Sequence, residues 1–335
     1  MPDSADPAVV GVDVGGTKIA AARVVGPDAY ELSESATDLS SSTALLDGLE
    51  ATVREVIERS GEPEAIGVGV PSQVDFESGT VVTSVNIPLE GVALARDLED
   101  RLGVGVYVDN DANCAALAEA QFTEHGPAQH LVMLTLGTGV GGGVVIDGRI
   151  FRGATGLGAE LGHMTIQADG PECPGACPNR GCLEAYASGT ALARDATEHA
   201  SEHPDSRLGR VAADHGGKVT GQDVVTAAKE GDEDARGLLT ALGRWLGVGM
   251  ASLINIFEPT HLAIGGGLSA ACDLFLPAAE EEAAARALPA LFQRVQIAVA
   301  RAGSDAGVIG AGLLAAQELG LSGDTSRPRP RQEVR

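Results

Sequence analysis

A dense group of carboxylate and amide side chains lies at one predicted strand-to-helix junction. The run is Asp109-Asn110-Asp111-Ala112-Asn113, and it directly follows an apolar segment at residues 104–108. A carboxylate at such a junction is open to a substrate and is fixed by the first amides of the helix, as a general base must be. Capping explains one of these side chains, because Asp and Asn are preferred at helix starts. The surplus of polar groups predicts acid–base chemistry here.

Three glycine-containing turns are candidates for phosphate binding. They are Asp13-Val14-Gly15-Gly16-Thr17-Lys18, Gly137-Thr138-Gly139 and Gly265-Gly266-Gly267, and each follows a predicted strand. Glycine turns leave backbone N–H groups uncovered, and such groups cradle phosphates, while a carboxylate such as Asp13 can hold Mg²⁺. None has the Gly-Lys-Ser/Thr ending of a P-loop. A single glycine hairpin is common as a plain turn, so the indication comes from finding three in one chain.

One histidine and three cysteines have the residue types of a metal centre. They are His163, Cys173, Cys177 and Cys182, in a loop rich in Pro and Gly. Three thiolates and one imidazole form a closed tetrahedral zinc site. Such a site contributes on the order of 10 kcal/mol to ordering a loop with little apolar core. The alternative is that the cysteines are unpaired and buried, because Cys also packs as a small hydrophobe.

Glu160 and Glu184 border this loop. Their oxygens can accept hydrogen bonds from the hydroxyls of a polar ligand, although each can equally be a solvated surface carboxylate. Cys114 is expected to pack inside a helix. The cysteines give no disulfide framework, and residues 1–7 lack a basic and apolar leader, so we expect a cytoplasmic protein.

The charge balance restricts the possible partners. Asp and Glu number 47 against 23 Lys and Arg, which gives a net charge of −24. Nucleic-acid binding needs a basic surface to neutralise phosphates, so we expect no nucleic-acid partner. Lys occurs only at Lys18, Lys218 and Lys229. An acidic, Lys-poor surface indicates adaptation to concentrated salt, in which repulsion between carboxylates is screened, rather than an acidic binding face.

The periodicity of apolar residues predicts alternating strands and helices, and therefore an α/β protein. Predicted strands span residues 9–14, 19–25, 65–70, 104–108, 131–136, 142–146, 261–264 and 295–300. Predicted helices span residues 42–58, 94–102, 110–122, 183–199, 232–257 and 305–319. A chain of 335 residues has the length of two domains. We expect a small domain at 1–120 joined by the last helix, a large domain at 121–304, a disordered tail at 323–335 and no membrane span.

These motifs together resemble the ROK family (repressors, open reading frames and sugar kinases). The resemblance runs from about residue 9 to 319, and its most specific marks are Glu160-Leu161-Gly162-His163 and Cys177-Pro178-Asn179-Arg180-Gly181-Cys182-Leu183-Glu184. It implies the two-domain α/β fold of hexokinase and actin, a ribonuclease H-like ATPase fold with an interdomain cleft. It also implies an ATP-dependent hexose kinase of glycolysis, with conversion of glucose to glucose 6-phosphate as the expected reaction.

The resemblance also implies roles for particular residues. The family's phosphate-clamping turns match Asp13, Gly15, Gly16, Thr17 and Lys18, together with Gly137, Thr138 and Gly139, with Mg²⁺ near Asp13. The turn beside adenosine matches Gly265, Gly266 and Gly267. The catalytic base matches Asp111. Sugar-binding residues match Asn86, Asn110, Asp111, Glu160, His163 and Glu184, and structural Zn²⁺ ligands match His163, Cys173, Cys177 and Cys182.

The chain departs from the family pattern at two places. The family usually has Cys-x-Cys-Gly where this chain has Cys173-x-x-x-Cys177-Pro178, so the spacing leaves the role of Cys173 open. The family's Pro-Gly after the third strand is Pro71-Ser72 here. Family repressors carry a DNA-binding helix-turn-helix ahead of the kinase fold, and only about eight residues precede the first predicted strand, so we expect no such domain.

Several alternatives remain open at the level of the sequence. Specificity among hexoses depends on one or two polar contacts, so fructose, N-acetylglucosamine and N-acetylmannosamine are alternative substrates. ADP or polyphosphate are alternative phosphate donors. A non-catalytic sugar sensor with the same fold is the alternative to an enzyme. Family members are commonly dimers or tetramers, and we expect a homodimer or homotetramer.

Overall fold

A computed structural model of the protein describes residues 8–175 and 177–320, so the predicted tail at 323–335 lies outside the described residues. The strands are β1 (Val9–Val14), β2 (Lys18–Val25), β3 (Asp28–Ala36), β4 (Ala65–Val70), β5 (Gln73–Asp75), β6 (Thr80–Thr83), β7 (Val106–Asn110), β8 (Leu131–Leu136), β9 (Val140–Ile146), β10 (Arg149–Ile150), β11 (His261–Gly265) and β12 (Gln296–Val299). The helices are α1 (Ser42–Ser60), α2 (Leu94–Leu102), α3 (Asp111–Gln121), α4 (Glu184–Ala187), α5 (Gly189–Glu202), α6 (Arg207–Asp214), α7 (Gly221–Lys229), α8 (Glu233–Phe257), α9 (Cys272–Arg286), α10 (Pro289–Phe292) and α11 (Ala306–Glu318).

The chain divides into two compact units. Of the described residues, the first unit contains those up to Ala118, the short segment Ala154–Leu157 and those from Ser304 to residue 320. The second unit contains Glu119–Gly153 and Gly158–Gly303. Each unit has its own five-stranded sheet and its own apolar core.

The sheet of the first unit has the strand order β3-β2-β1-β4-β7. Strands β1, β4 and β7 run parallel, and β2 and β3 continue the sheet in antiparallel fashion. Asp13 of β1 pairs in register with Gly69 of β4, and Gly69 pairs with Asp109 of β7. The carboxyl ends of the parallel strands therefore place Asp13 and Asp109 at one edge of the sheet, which is where open α/β sheets bind ligands.

Helix α11 packs on this sheet with its backbone directly against neighbouring backbone. A Cβ added at Gly11 of β1 would lie 1.9 Å from the carbonyl oxygen of Val308. A Cβ at Gly67 of β4 would lie 1.7 Å from the carbonyl oxygen of Ala311. Only glycine permits such a close approach at these two strand positions, so Gly11 and Gly67 determine where α11 packs on the sheet.

The sheet of the second unit repeats the arrangement of the first. Its strand order is β10-β9-β8-β11-β12, with β8, β11 and β12 parallel and the other two antiparallel. The turn between β8 and β9 contains Gly137–Gly139 and corresponds to the turn between β1 and β2 in the first unit. The glycine turns after β1 and β8 each join two antiparallel strands.

Helix α8 is the central helix of the second unit's core. Its buried residues include Leu239, Leu242, Leu246, Met250 and Leu253. By length and composition α8 is also able to cross a membrane, but 56% of its most apolar window is buried inside the protein. Because Arg236 and Arg244 on its other side are exposed, α8 is a core helix with one buried apolar face.

The structure differs from the predicted elements in several places, and helices α6, α7 and α9 in particular were not predicted. The predicted helix 183–199 is wrong as one element, because Ser188 adopts an extended conformation and its hydroxyl caps α5 by accepting from the backbone N–H of Ala191 at 3.1 Å. Strand β7 begins at Val106 and extends to Asn110, two residues later than predicted at each end. Strand β3 was not predicted, because its exposed polar residues lack an apolar run.

Gly67→Ala is expected to destabilise the protein, because its Cβ would overlap the carbonyl oxygen of Ala311. Overpacking of this kind costs about 1–3 kcal/mol in the free energy of unfolding. Gly105→Ala is the matched control, since a Cβ there meets no atom within 4 Å. Urea unfolding followed by circular dichroism measures both variants. Equal stabilities would contradict the backbone-to-backbone packing of α11.

Candidate active site

The junction between β7 and α3 is organised by its own polar side chains. Asn110 caps α3, since its Oδ1 accepts from the backbone N–H of Ala112 at 2.9 Å and of Asn113 at 3.4 Å. Asp109 is only 2% exposed, and its Oδ1 accepts from the Asn113 side-chain amide at 2.8 Å and from the Asn110 N–H at 2.7 Å. Asp109, Asn110 and Asn113 therefore hold the junction together.

Asp111 is the first residue of α3 and is partly exposed. Its Oδ1 accepts from the backbone N–H of Ala112 at 2.8 Å, which fixes the orientation of the carboxylate. The amino end of a helix stabilises a negatively charged side chain through its unpaired N–H groups and its dipole. Asp111 thus combines a fixed orientation with access to solvent, which are the properties that general-base chemistry needs.

The segment that contains Asn86 is connected to this junction by hydrogen bonds within the first unit. The Asn110 side-chain amide donates to the carbonyl oxygen of Ser72 at 3.3 Å. The Ser72 hydroxyl donates to that of Ser84 at 2.9 Å, and the Ser84 hydroxyl donates to the carbonyl oxygen of Ile87 at 2.7 Å. Asn86 itself is exposed between these residues. The first unit therefore brings the Asn86 segment, Asn110 and Asp111 into one polar network.

Asp13 lies at the end of β1, against the start of α11. A Cβ at Gly307 would lie 2.4 Å from the carboxyl carbon of Asp13, so only a glycine leaves room for this side chain. Burial raises the pKa of Asp13, and the positive charge of Lys18 opposes that shift. The Lys18 ammonium is itself paired with Glu34 at 2.5 Å, and residues 16–18 are exposed. A partly buried carboxylate, when ionised, is stabilised by a nearby cation, so Asp13 is suited to bind one.

The remaining predicted site residues belong to the second unit, where α5 supports the glycine turn after β8. The backbone N–H of Gly189 donates to the carbonyl oxygen of Gly137 at 2.8 Å. The Thr190 hydroxyl donates to the carbonyl oxygen of Thr138 at 2.7 Å. Because two carbonyl groups of the turn are occupied in this way, the turn is rigidly attached to the amino end of α5.

The third glycine turn lies directly beside the first strand of this sheet. Gly266 has a φ of +81°, a conformation that favours glycine, and a Cβ there would lie 2.4 Å from the carbonyl oxygen of Leu136. Leu136 immediately precedes the turn at residues 137–139. The two predicted nucleotide-binding turns of the second unit are therefore neighbours.

Glu184 joins the second glycine turn to the cysteine loop. Its Oε2 accepts from the backbone N–H of Val140 at 2.8 Å, and a Cβ at Gly139 would lie 2.3 Å from the same oxygen. Its Oε1 lies 3.8 Å from the Sγ of Cys173. One carboxylate thus contacts both the turn after β8 and a thiol of the candidate metal centre.

The turn that contains Glu160 and His163 packs closely on the start of β9. A Cβ at Gly162 would lie 1.9 Å from the carbonyl oxygen of Val140, which explains why glycine stands between Leu161 and His163. Ala159, just before Glu160, has a φ of +66°, which is strained for a residue with a side chain. Backbone strain of this kind concentrates at functional sites, and Glu160 is exposed beside it.

The four predicted metal ligands come together in the second unit. The ligand atoms of His163, Cys173, Cys177 and Cys182 all lie within 4.8 Å of one another, and the His163 Nδ1 is 3.4 Å from the Cys173 Sγ. Zn–S bonds of about 2.3 Å in a tetrahedron place the sulfur atoms roughly 3.8 Å apart, so the donor set has the size that zinc requires. Burial raises the pKa of the Cys173 and Cys182 thiols.

One buried acidic residue was missed at the level of the sequence. Glu119 is 4% exposed near the end of α3, and its Oε2 accepts from the backbone N–H groups of Arg301 at 2.8 Å and Ala302 at 2.9 Å. Burial raises the pKa of Glu119. The only signal in the sequence is a single acidic residue among alanines and a leucine at residues 115–120, and that pattern does not identify its distant partners.

Comparisons with known proteins assign the family. The model of the ROK family matches residues 9–318. A glucokinase of Halalkalibacterium halodurans is 36% identical over 315 residues, which cover 92% of this chain and 95% of that protein. The ROK hexokinase of Thermus thermophilus superposes with a TM-score of 0.80 at 34% identity, covering 93% of this chain and 99% of that one.

A second solved structure, a ROK family glucokinase from Streptomyces griseus in complex with glucose and AMPPNP, superposes with a TM-score of 0.76. It is 34% identical and covers 92% of this chain and 99% of its own. These similarities confirm the predicted α/β fold of the hexokinase and actin type. The repeated sheets, the glycine turns after β1 and β8, and the match across nearly all of the described chain show that this protein belongs to the ROK family.

Proposed function

We propose that this protein is an ATP-dependent hexose kinase that converts glucose to glucose 6-phosphate. The observation that carries the proposal is Asp111, which is held at the amino end of α3 by the Ala112 N–H while remaining partly exposed. A kinase needs one carboxylate in this position to accept the proton of the attacking hydroxyl. Similarity to glucokinases and to a glucose-bound structure supports glucose as the substrate.

In the proposed reaction, the carboxylate of Asp111 takes the proton from the 6-hydroxyl of the sugar. The bond from that oxygen to the γ-phosphorus forms, the bond from the γ-phosphorus to the bridging oxygen breaks, and ADP leaves. The backbone N–H groups of residues 16–17 and 138–139 would stabilise the charge on the phosphates, since those of Gly15 and Gly137 already donate to the carbonyl oxygens of Lys18 and Gly139. Bound Mg²⁺ supplies further positive charge to the phosphates, and Asp13 is the residue that would hold it.

The substrate contacts follow from the family resemblance and from the geometry of each unit. Asn86, Asn110 and Asp111 of the first unit, with Glu160, His163 and Glu184 of the second, are proposed to bind sugar hydroxyls. Carboxylates and amides accept and donate the hydrogen bonds that such hydroxyls need. The turn at Gly265–Gly267 is proposed to lie beside adenosine.

We also propose a structural Zn²⁺ held by His163, Cys173, Cys177 and Cys182. The four donors lie within bonding range of one ion, and this set is typical of closed zinc sites. Cys173 lies with the other three donors, which supports it as a ligand despite its unusual spacing in the sequence. The metal would order the segment between Glu160 and Glu184 and so position three sugar-binding side chains.

A homodimer or homotetramer, a cytoplasmic location and salt adaptation of the acidic surface remain proposals.

A coupled assay of ADP formation tests the function. We expect turnover with glucose and ATP, and lower kcat/KM with fructose, N-acetylglucosamine and N-acetylmannosamine. The assay is repeated with ADP and polyphosphate as donors, and at low and high KCl. No phosphorylation of any sugar would favour a sensor, and preference for another sugar would reassign the substrate.

Asp111→Asn is expected to lower kcat by at least ~10²-fold, because the amide cannot accept the hydroxyl proton. Glucose binding measured by calorimetry should change little, since the side chain keeps its shape. Asp100→Asn is the matched control, because Asp100 is a surface carboxylate of α2 with 75% exposure. Turnover of Asp111→Asn close to that of the unmodified enzyme would remove Asp111 from its proposed role.

Asp13→Asn is expected to abolish activity and to stabilise the metal-free protein at neutral pH by roughly 1 kcal/mol. Burial raises the pKa of Asp13 above its unfolded value, so the stability contributed by its proton is present at low pH and lost as the pH rises through the folded pKa. The advantage of Asp13→Asn should therefore grow with pH in urea unfolding without Mg²⁺ or nucleotide. A variant less stable than the parent at pH 7 would contradict this account.

Removal of zinc is expected to weaken glucose binding. Trp245, the only tryptophan in the chain, stacks on Tyr186 with ring centroids 4.3 Å apart, and Tyr186 follows Glu184 by two residues. Chelation should therefore change Trp245 fluorescence and raise the Kd for glucose, and added Zn²⁺ should restore both. Cys177→Ala should lose the metal, whereas Cys272→Ala, a buried thiol outside the cluster, should retain it. Fully active enzyme without zinc would refute this role.

A further inference from the structure

A second group of metal-binding side chain types lies at the carboxyl end of α5, away from the cysteine loop in sequence. His199 lies in the last turn of α5 and His203 is its C-cap residue. Asp234 lies in the first turn of α8. Together with Glu202 and Asp205, these residues line one surface pocket of the second unit. The group plays no part in the proposed kinase reaction.

The spacing of the two histidines places their rings on one side of the helix end. They are four residues apart, and the backbone N–H of His203 donates to the carbonyl oxygen of His199 at 2.9 Å. Their ring centroids are 4.7 Å apart. Two histidines at this spacing on a helix are able to bind one metal ion, because residues four apart lie on the same face.

The contact between His199 and Asp234 brings an imidazole nitrogen and a carboxylate oxygen together at the edge of this pocket. The His199 Nε2 lies 3.3 Å from the Asp234 Oδ2, but it is buried and makes no hydrogen bond of acceptable geometry. In the neutral tautomer whose proton lies on Nδ1, the His199 Nε2 presents a lone pair beside the carboxylate oxygen, and both atoms are then suited to ligate one cation. A positive ion that both atoms can ligate would satisfy the two groups.

The electrostatic surroundings also favour a cation. The carboxyl end of a helix carries partial negative charge, and His199 and His203 stand at that end of α5. Glu202, Asp205 and Asp234 add carboxylates around the same pocket. A protein with a net charge of −24 further raises the local concentration of divalent cations.

We propose that His199, His203 and Asp234 bind a divalent transition-metal ion of the Ni²⁺, Co²⁺, Cu²⁺ or Zn²⁺ class. Imidazole nitrogen with one carboxylate suits these ions, whereas Mg²⁺ and Ca²⁺ prefer oxygen donors alone. His203 is exposed, so its side chain is able to turn toward the ion held by His199 and Asp234. The ion would connect the end of α5 to the start of α8 and stabilise the second unit.

Calorimetric titration with Ni²⁺ tests the site, using tag-free protein that already carries zinc in its cysteine cluster. We expect one further equivalent of Ni²⁺ to bind and to raise the melting temperature, since an ion that binds only the folded state stabilises it. His203→Ala should weaken Ni²⁺ binding at least ~10-fold, which equals about 1.4 kcal/mol. Because His203 is on the surface, this variant should fold normally.

His215→Ala is the matched control. His215 also has an aspartate neighbour, with its Nδ1 3.6 Å from the Asp223 Oδ2, but it belongs to a different helix end and does not line the pocket. His215→Ala should bind Ni²⁺ as the parent does, and Asp234→Asn should bind it more weakly. No binding to the parent, or equal affinity in His203→Ala and the parent, would overturn the proposal. Neither outcome depends on kinase activity, so this test is separate from that of the proposed function.

Discussion

Direct packing of backbone on backbone is the constraint on which the first unit depends. Gly11 and Gly67 let α11 lie against β1 and β4 with no side chain between them, and Gly310 of α11 in turn approaches the carbonyl oxygen of Cys114 in α3. The position of α11 then brings Gly307 against Asp13. The proposed catalytic carboxylate, Asp111, and the proposed cation-binding carboxylate, Asp13, are therefore positioned by glycines that let the helices contact the strand ends through the main chain.

The sequence was sufficient to predict an element wherever its local signals agree with its tertiary packing. Strands β1, β4 and β8 were predicted with their observed bounds, because each is an apolar run that ends at a glycine or proline turn. The break before α5 was not predictable from apolar spacing, since the Ser188 cap competes with a helical pattern that continues through it. Glu119 was missed for another reason: its backbone partners lie 182 and 183 residues further along the chain.

The candidate site was predictable as a set of residues but not as a set of contacts. The run from Asp109 to Asn113 indicated one catalytic carboxylate and one cap, and the structure shows that Asn110 is the cap. Cys173 had an irregular spacing, yet pairing of Glu172 with Arg180 and of Thr165 with Cys182 folds the loop so that its thiol meets the others. The spacing of the cysteines in the sequence cannot predict this folded loop, because the two bridges join residues that are not separated by a regular interval.

The two units repeat one sheet but stabilise their polar groups differently. In the first unit a core of strands and helices holds the carboxylates, whereas the segment from Thr165 to Cys182 in the second has few apolar residues with which to form a core. The proposed metal centre would replace the missing core. Glu184 contacts the Sγ of Cys173, one of its proposed ligands, and accepts a hydrogen bond from the backbone N–H of Val140, directly after the turn at residues 137–139. Because one carboxylate contacts the metal centre and the glycine turn, a sugar hydroxyl that binds Glu184 would shift the hydrogen bond at Val140. Binding of sugar and the geometry of the turn at residues 137–139, which is proposed to bind phosphate, are therefore expected to be linked through a single side chain.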